Sequence, residues 1–291
     1  MIERFGWDAL PEAVRDEVQA HIGDVTVIRD VAEGQNCNLA LVVRGDAGEV
    51  FLKGVVGISP RMRWLRNEAA AGDLVRGIAP STRFSADIEP EWFVVGFEYV
   101  EGRAADFTPG SSDLEIVAST VAEISRHPAG PAAPLSERWA SSDWWVKLEE
   151  VAPDQVADWD LEALTKWSAL TADLVGGTSL LHTDLHEHQF LISDPTASVR
   201  VIDWGRPAAG AAWVDDAFLV IRLIAAGHQP AEAERWAASI PSWSAGSDEA
   251  VTSFACYVAG LWSYRGTTSP FPGASGLSRA AKTYARYRLA K

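Results

Sequence analysis

The hydrophobic pattern changes character once along the chain. Up to about residue 100 the apolar residues come in short, β-rich runs, of which Val25 to Val31 is the first. "NLALVVRG" and "EVFLKGVV" then flank "GDAG", and two such runs around a glycine-containing turn predict a two-strand hairpin. "EWFVVGFEYV" is a further apolar strand, ending in the loop-like "EGRAADFTPGSS". One helix interrupts the series, "SPRMRWLRNEAAAGDLVRG", with Pro60 near its start and Gly77 past its end.

Beyond residue 101 the spacing becomes helical. Ser112 and Glu115 form a capping-box pattern ahead of "IVASTVAEI". Leu161, Leu164, Trp167, Leu170 and Leu174 recur at helical spacing in "DLEALTKWSALTADLV". Short strands return at "HQFLI" and "VRVIDW". Helices are expected from Asp215 to Ala226, Ala231 to Ala238, Ser247 to Tyr264, and Leu277 to the end. The pattern is α+β, a sheet with one helix followed by a mostly helical part. The expected division is 1–100 and 101–291.

Composition narrows the function classes. The 291 residues are 47% hydrophobic and 22% charged, which supplies a core and argues against disorder. The 13 tryptophans are expected mainly to fill that core. A formal net charge of −15 is the wrong sign for neutralising phosphates, so no nucleic-acid partner is expected, and an anionic membrane surface is disfavoured for the same reason. An acidic surface suits a cationic small molecule, or serves solubility alone. Two distant cysteines, Cys37 and Cys256, fit a reducing cytoplasm rather than a disulfide framework. The start of the chain has no apolar core of a signal peptide, and the longest uncharged apolar run, Val251 to Tyr264, is too short to span a bilayer.

Candidate chemistry concentrates in "LLHTDLHEHQFLI". His182, Asp184, His186 and His188 alternate there, and a metal-hydrolase site is one reading of that spacing. It lacks distant partner ligands and an HExxH. No GxSxG marks a serine hydrolase, and no GxxxxGK[ST] marks a P-loop. Phosphoryl transfer needs a glycine-containing turn, a strand lysine, a helix carboxylate, a catalytic aspartate, an amide and a metal-binding aspartate. The chain supplies these in order as Gly34, Lys53, Glu68, Asp184, Gln189 and Asp203.

"HTDLHEHQ" followed by "VIDWG" resembles the "HGDLHxxN…VIDW" signature of the aminoglycoside phosphotransferases and their choline-kinase-like relatives. The resemblance runs roughly from residue 25 to 226 and implies a two-lobed protein-kinase-like fold, sheet-rich and then helical. It implies that Lys53, positioned by Glu68, holds the phosphates of ATP or GTP. The "AEGQNCN" turn, with Gly34 and Asn36, stands where the family has its nucleotide loop. "FVVGFEYVEGR" resembles the hinge that carries the base, which implicates Glu98 and Val100 and puts Phe97 just before it. Asp184 is then the base for an acceptor hydroxyl, and Asp203 a Mg²⁺ ligand. Asp215 falls at the family's structural aspartate.

One position departs from the family pattern. Gln189 stands where the metal-binding asparagine is found, which keeps an amide oxygen on a longer side chain. The expected protein is a monomeric, cytoplasmic small-molecule kinase acting on a hydroxylated natural product such as an antibiotic. The alternative is a kinase-fold protein that binds nucleotide or ligand with little transfer. Asp143, Trp144 and Trp145 are candidates for acceptor contact, or simply the start of a helix.

Overall fold

The structure is a computed structural model and describes residues 3–31, 36–193 and 198–291. The first helix, α1 (Glu12–Ile22), precedes three strands, β1 (Thr26–Asp30), β2 (Leu39–Gly45) and β3 (Gly48–Val56). Next come α2 (Pro60–Leu74), β4 (Thr82–Ile88), β5 (Trp92–Glu98) and the two-residue β6 (Arg103–Ala104). Four helices follow, α3 (Asp113–Ile124), α4 (Leu135–Arg138), α5 (Trp144–Val151) and α6 (Leu161–Leu174). Four short strands come next, β7 (Ser179–Leu181), β8 (Phe190–Ser193), β9 (Ser198–Val201) and β10 (Ala208–Gly210). The chain closes with α7 (Val214–Ala225), α8 (Pro230–Ala237), α9 (Asp248–Thr268) and α10 (Ala274–Leu289).

The chain forms two compact units, one of residues 1–103 with 189–206, the other of 104–188 with 207–291. The sequence reading placed 189–206 with the later part, whereas these residues cluster with the first. In the first unit the five strands run antiparallel in the order β1-β2-β3-β5-β4. Side chains alternate across such a sheet. Leu39, Leu41, Val43, Val50 and Leu52 face Val14, Val18 and Ile22 of α1. Ala40, Val55, Phe93, Val95 and Phe97 face the other way and pack with Leu65 of α2. Each such large aliphatic side chain contributes about 1.5–3 kcal/mol by leaving water. This alternation puts Lys53 on the α2 side of β3, level with Ala40 and Val95 of its neighbours.

The second unit is built around α9, buried over nearly its whole length from Ala250 to Leu261. Its partners include α5, α6 and α10. β7 and β10 pair antiparallel, Leu181 opposite Ala208, and β7 leads straight into His182, Thr183 and Asp184. Among the described residues no helix is long and apolar enough to cross a membrane. Both cysteines are free and buried.

Four local expectations change. The first unit holds a helix, α1, that the strand-dominated reading passed over, and a strand, β4, in which only Phe84 is fully buried. Ser112 is helical and caps nothing with its side chain; the Asp113 carboxylate instead accepts from the Asp106 amide at 2.8 Å. In α6 Leu170 is exposed, and the buried positions are Leu164, Ser168 and Thr171. Small residues are needed there because α9 packs close, and Thr171 and Ser253 hydroxyls meet at 2.6 Å.

Candidate active site

In the first unit three charged side chains converge. The Lys53 ammonium donates to both oxygens of Glu68, at 2.7 and 3.0 Å, and both side chains are about one-eighth exposed, 13% and 12%. Glu68 lies on α2, two turns past Pro60, whose position at the helix start suits a residue lacking an N–H. Burial alone would lower the pKa of Lys53, but the Glu68 and Asp203 carboxylates raise it above its ordinary value. The lysine is therefore a fixed cation with a carboxylate on either side.

Asp203 owes its position to strain and to anchors around it. Its φ is 65°, a left-handed conformation that a residue other than glycine holds only where its surroundings enforce it. Trp204, buried, donates its indole N–H to the Val201 carbonyl at 2.8 Å. Asn67 of α2 donates to the Gly205 carbonyl at 3.1 Å, and a Cβ at Gly205 would stand 3.1 Å from that of Trp64. The same helix thus positions Glu68 and the Asp203 segment. Gln189, buried, points its amide at Asp203, with the nitrogen 3.4 Å from the carboxylate Oδ2.

These residues test whether Mg²⁺ fits. The cation requires hard oxygen donors. Asp203 offers a carboxylate and Gln189 an amide, side by side, so the donor types fit. The amide presents its nitrogen here, and metal binding requires it to turn its oxygen inward. Among the described residues no group of three or more His, Cys, Asp or Glu side chains is arranged to hold a metal, so the alternate histidines do not form such a centre.

At the end of β5, Glu98 accepts from the Ser81 amide and hydroxyl at 3.1 and 3.0 Å, so its carboxylate is engaged within the protein. Glu98 and Val100 both line an open pocket of about 610 Å³, together with Gly102, Ile192, Ser193 and Arg200. Asn36 is exposed. Gly34 lies outside the described residues.

The second unit carries Asp184 on a tightly held loop. The backbone amides of His182 and Thr183 donate to the two oxygens of Asp215 at 2.7 and 2.9 Å. Thr183 has φ 67°, a second left-handed residue, and its hydroxyl accepts from Arg138 at 3.1 Å. His182 is fully buried, and its Nδ1 accepts from the Asp184 amide at 3.3 Å. Asp184 itself is 47% exposed and ion-paired at 3.2 Å with Arg222 of α7. Arg222 lies over the Trp262 ring, 5.2 Å from its centroid. His188 stands largely in solvent.

Arg222, Arg138 and the neighbouring Asp216 escaped the sequence reading. A lone arginine in the apolar "AFLVIRLIAAG" was the available signal for Arg222, since an unpaired buried cation is costly. Asp216 is buried and accepts from Ser242 at 2.7 Å; burial, reinforced by Asp215 and only partly offset by Ser242, pushes its pKa up to about 7. Of the candidates for acceptor contact, Trp145 is fully buried and donates to the Cys256 carbonyl at 2.8 Å, so it is a core residue. Asp143 pairs with Lys147 at 2.8 Å.

Comparison with known proteins adds three findings. Residues 59–246 match the model of the phosphotransferase enzyme family. No curated protein sequence matches the chain. Among solved structures, a thermostable mutant of aminoglycoside phosphotransferase APH(4)-Ia, in ternary complex with AMP-PNP and hygromycin B, superposes with TM-score 0.69 at 13% identity, over 95% of this chain and 98% of that one. The choline kinase LicA from Streptococcus pneumoniae gives 0.61 at 18%, over 94% and 98%. A microcompartment-associated aminopropanol kinase gives 0.62 at 16%, over 95% and 96%. At these identities the likeness concerns the fold, which is protein-kinase-like.

Proposed function

Because the chain belongs to the phosphotransferase enzyme family, and is a small-molecule kinase, we propose that it moves the γ-phosphate of ATP or GTP to a hydroxyl of a natural product, with antibiotics among the first acceptors to test. The observation that carries this reading is the Lys53–Glu68 pair with Asp203 beside it. A phosphoryl group in transfer spreads charge over its oxygens, so fixed cations do most of the stabilising. Lys53 is held as such a cation and binds the nucleotide phosphates. Glu68 keeps it aimed. Asp203 and Gln189 would hold Mg²⁺, which when bound neutralises phosphate charge. The pocket lined by Glu98 and Val100 takes the base.

Asp184 takes the proton of the acceptor hydroxyl. Arg222 orients its carboxylate, and its 47% exposure leaves an edge open to a ligand. Solved relatives by fold include complexes with ADP or AMP-PNP and hygromycin B, and that pairing of nucleotide with a hydroxylated antibiotic supports both ligands for this chain. The net charge of −15 and the two free thiols fit a cytoplasmic enzyme that does not bind nucleic acid, and we take it to act as a monomer.

Gln189, with its longer side chain in place of the family's asparagine, favours a second reading, a kinase-fold protein that binds nucleotide with little transfer. One assay separates the two. Purified protein is incubated with ATP or GTP, Mg²⁺ and a panel of aminoglycosides, nucleosides, choline and amino alcohols, and nucleotide consumption is followed. Acceptor-dependent release of nucleoside diphosphate supports transfer. Nucleotide binding with no acceptor-dependent turnover across the panel supports the second reading.

A further inference from the structure

The second unit carries a basic pocket that takes no part in the reading above. Arg279, Lys282 and Arg286 of α10 line it, with Gln155, Trp159 and Ser275, and it encloses about 310 Å³. No carboxylate lines it. This is unusual for the molecule, whose acidic residues outnumber its basic ones 40 to 25. The most buried cations of the protein are ion-paired, Lys53 with Glu68, Arg222 with Asp184, and Arg288 with Glu234 and Asp248, whereas in the pocket Arg279 and Arg286 are exposed and Lys282 is half-buried.

The pocket's cations have neutral partners only. Lys282 donates to the Gln155 carbonyl and side-chain oxygen at 3.2 and 3.1 Å. Gln155 is fixed in turn by a hydrogen bond to Thr267 at 3.0 Å. The Arg286 guanidinium stacks over Trp159, 4.5 Å from the ring centroid. Arg279 forms no ion pair among the described residues. Burial, and then Arg286, lower the pKa of Lys282.

We propose that this pocket binds a small soluble phosphate anion, as inorganic phosphate, pyrophosphate or a phosphorylated metabolite. Three converging cations match a group with two or more negative charges, and guanidinium forks match phosphate oxygens geometrically. The volume suits a ligand of pyrophosphate size.

The test is equilibrium binding of inorganic pyrophosphate to the full chain, without divalent cations, for the wild type and three variants. One site per chain is expected. Arg279→Ser and Lys282→Gln should each weaken it by about tenfold or more, and rising salt should weaken it further. Arg83→Ser, at an exposed arginine of β4 outside the pocket, should leave it unchanged. Arg279 supports no other contact, so its variant carries little folding risk, and an unchanged unfolding temperature checks this. Full binding in Arg279→Ser, with the pyrophosphate displaced by ATP, would place the anion at the nucleotide site and overturn the proposal. No binding, or equal binding by all four proteins, would do the same. Vesicles of phosphatidylcholine with phosphatidic acid form the second arm. Sedimentation of the wild type with them, without pyrophosphate binding in solution, would assign the pocket to a lipid surface and overturn the soluble ligand.

Discussion

Two ion pairs, one in each unit, are built to opposite plans. In Lys53–Glu68 both partners are nearly out of water, and a second carboxylate, Asp203, lies close enough to act on the lysine. In Asp184–Arg222 the arginine is the enclosed partner and the aspartate remains half open. A closed pair fixes a charge in space for a ligand to use. A half-open pair orients a carboxylate while leaving one edge to react. The contrast is consistent with the proposed roles, positioning for the first unit's cluster and proton transfer for the second's.

The largest effect expected from breaking this contrast falls on turnover. Asp184→Asn removes the proton acceptor and keeps the shape, so kcat should drop by about 10²–10⁴-fold. Steady-state assays with an accepted hydroxyl substrate check this, and full activity in the variant would remove Asp184 from the chemistry. Next comes Lys53→Ala, which leaves Glu68 and Asp203 facing each other without their cation. Breaking a buried pair in this way should cost about 3–5 kcal/mol of stability, read from urea midpoints, together with nucleotide binding.

Asp216 gives a pH signature in the second unit. Its folded pKa of about 7 stands above its ordinary 3.8, so between these values the folded chain holds a proton that the unfolded chain has released. Stability from this group is therefore fully present below about pH 4 and lost as pH rises towards about 7, by roughly 4 kcal/mol at most. Asp216→Asn should flatten that limb and raise the urea midpoint above about pH 7 relative to wild type. A variant curve parallel to wild type would mean that Asp216 is ionised throughout. The smallest effect is expected at Gln189. Gln189→Leu should raise the Mg²⁺ concentration for half-maximal activity by about tenfold, and Gln189→Asn should leave it unchanged or lower it. Three superimposable titrations would exclude Gln189 from the metal site.

Much of the architecture was legible because strong patterns left one solution. The β2–β3 hairpin follows from two apolar runs about "GDAG", and α2 from Pro60 and its periodicity. The passed-over α1 also has a helical signature, Val14, Val18 and Ile22, but most of its other positions are polar. β4 buries one large side chain and gave too little contrast to read. The capping box at Ser112 failed for a local reason, since the Asp113 carboxylate is drawn to the Asp106 amide. Within the candidate site, motif order put forward Lys53, Glu68, Asp184 and Asp203, of which the structure pairs the first two and sets Asp203 close enough to act on the lysine. It did not reveal Arg222 or Arg138, because their partners come from distant segments, Asp184 for one and Thr183 and Pro207 for the other.

The central claim is that the nucleotide phosphates belong to the Lys53–Asp203 cluster and not to Asp184. Calorimetry of a non-hydrolysable ATP analogue with Mg²⁺ tests it without any knowledge of the acceptor. Asp203→Asn should weaken binding by about tenfold or more, and Asp184→Asn should change it by less than about twofold. Equal loss in both variants, or unchanged binding in Asp203→Asn, would contradict the division of labour between the two sites.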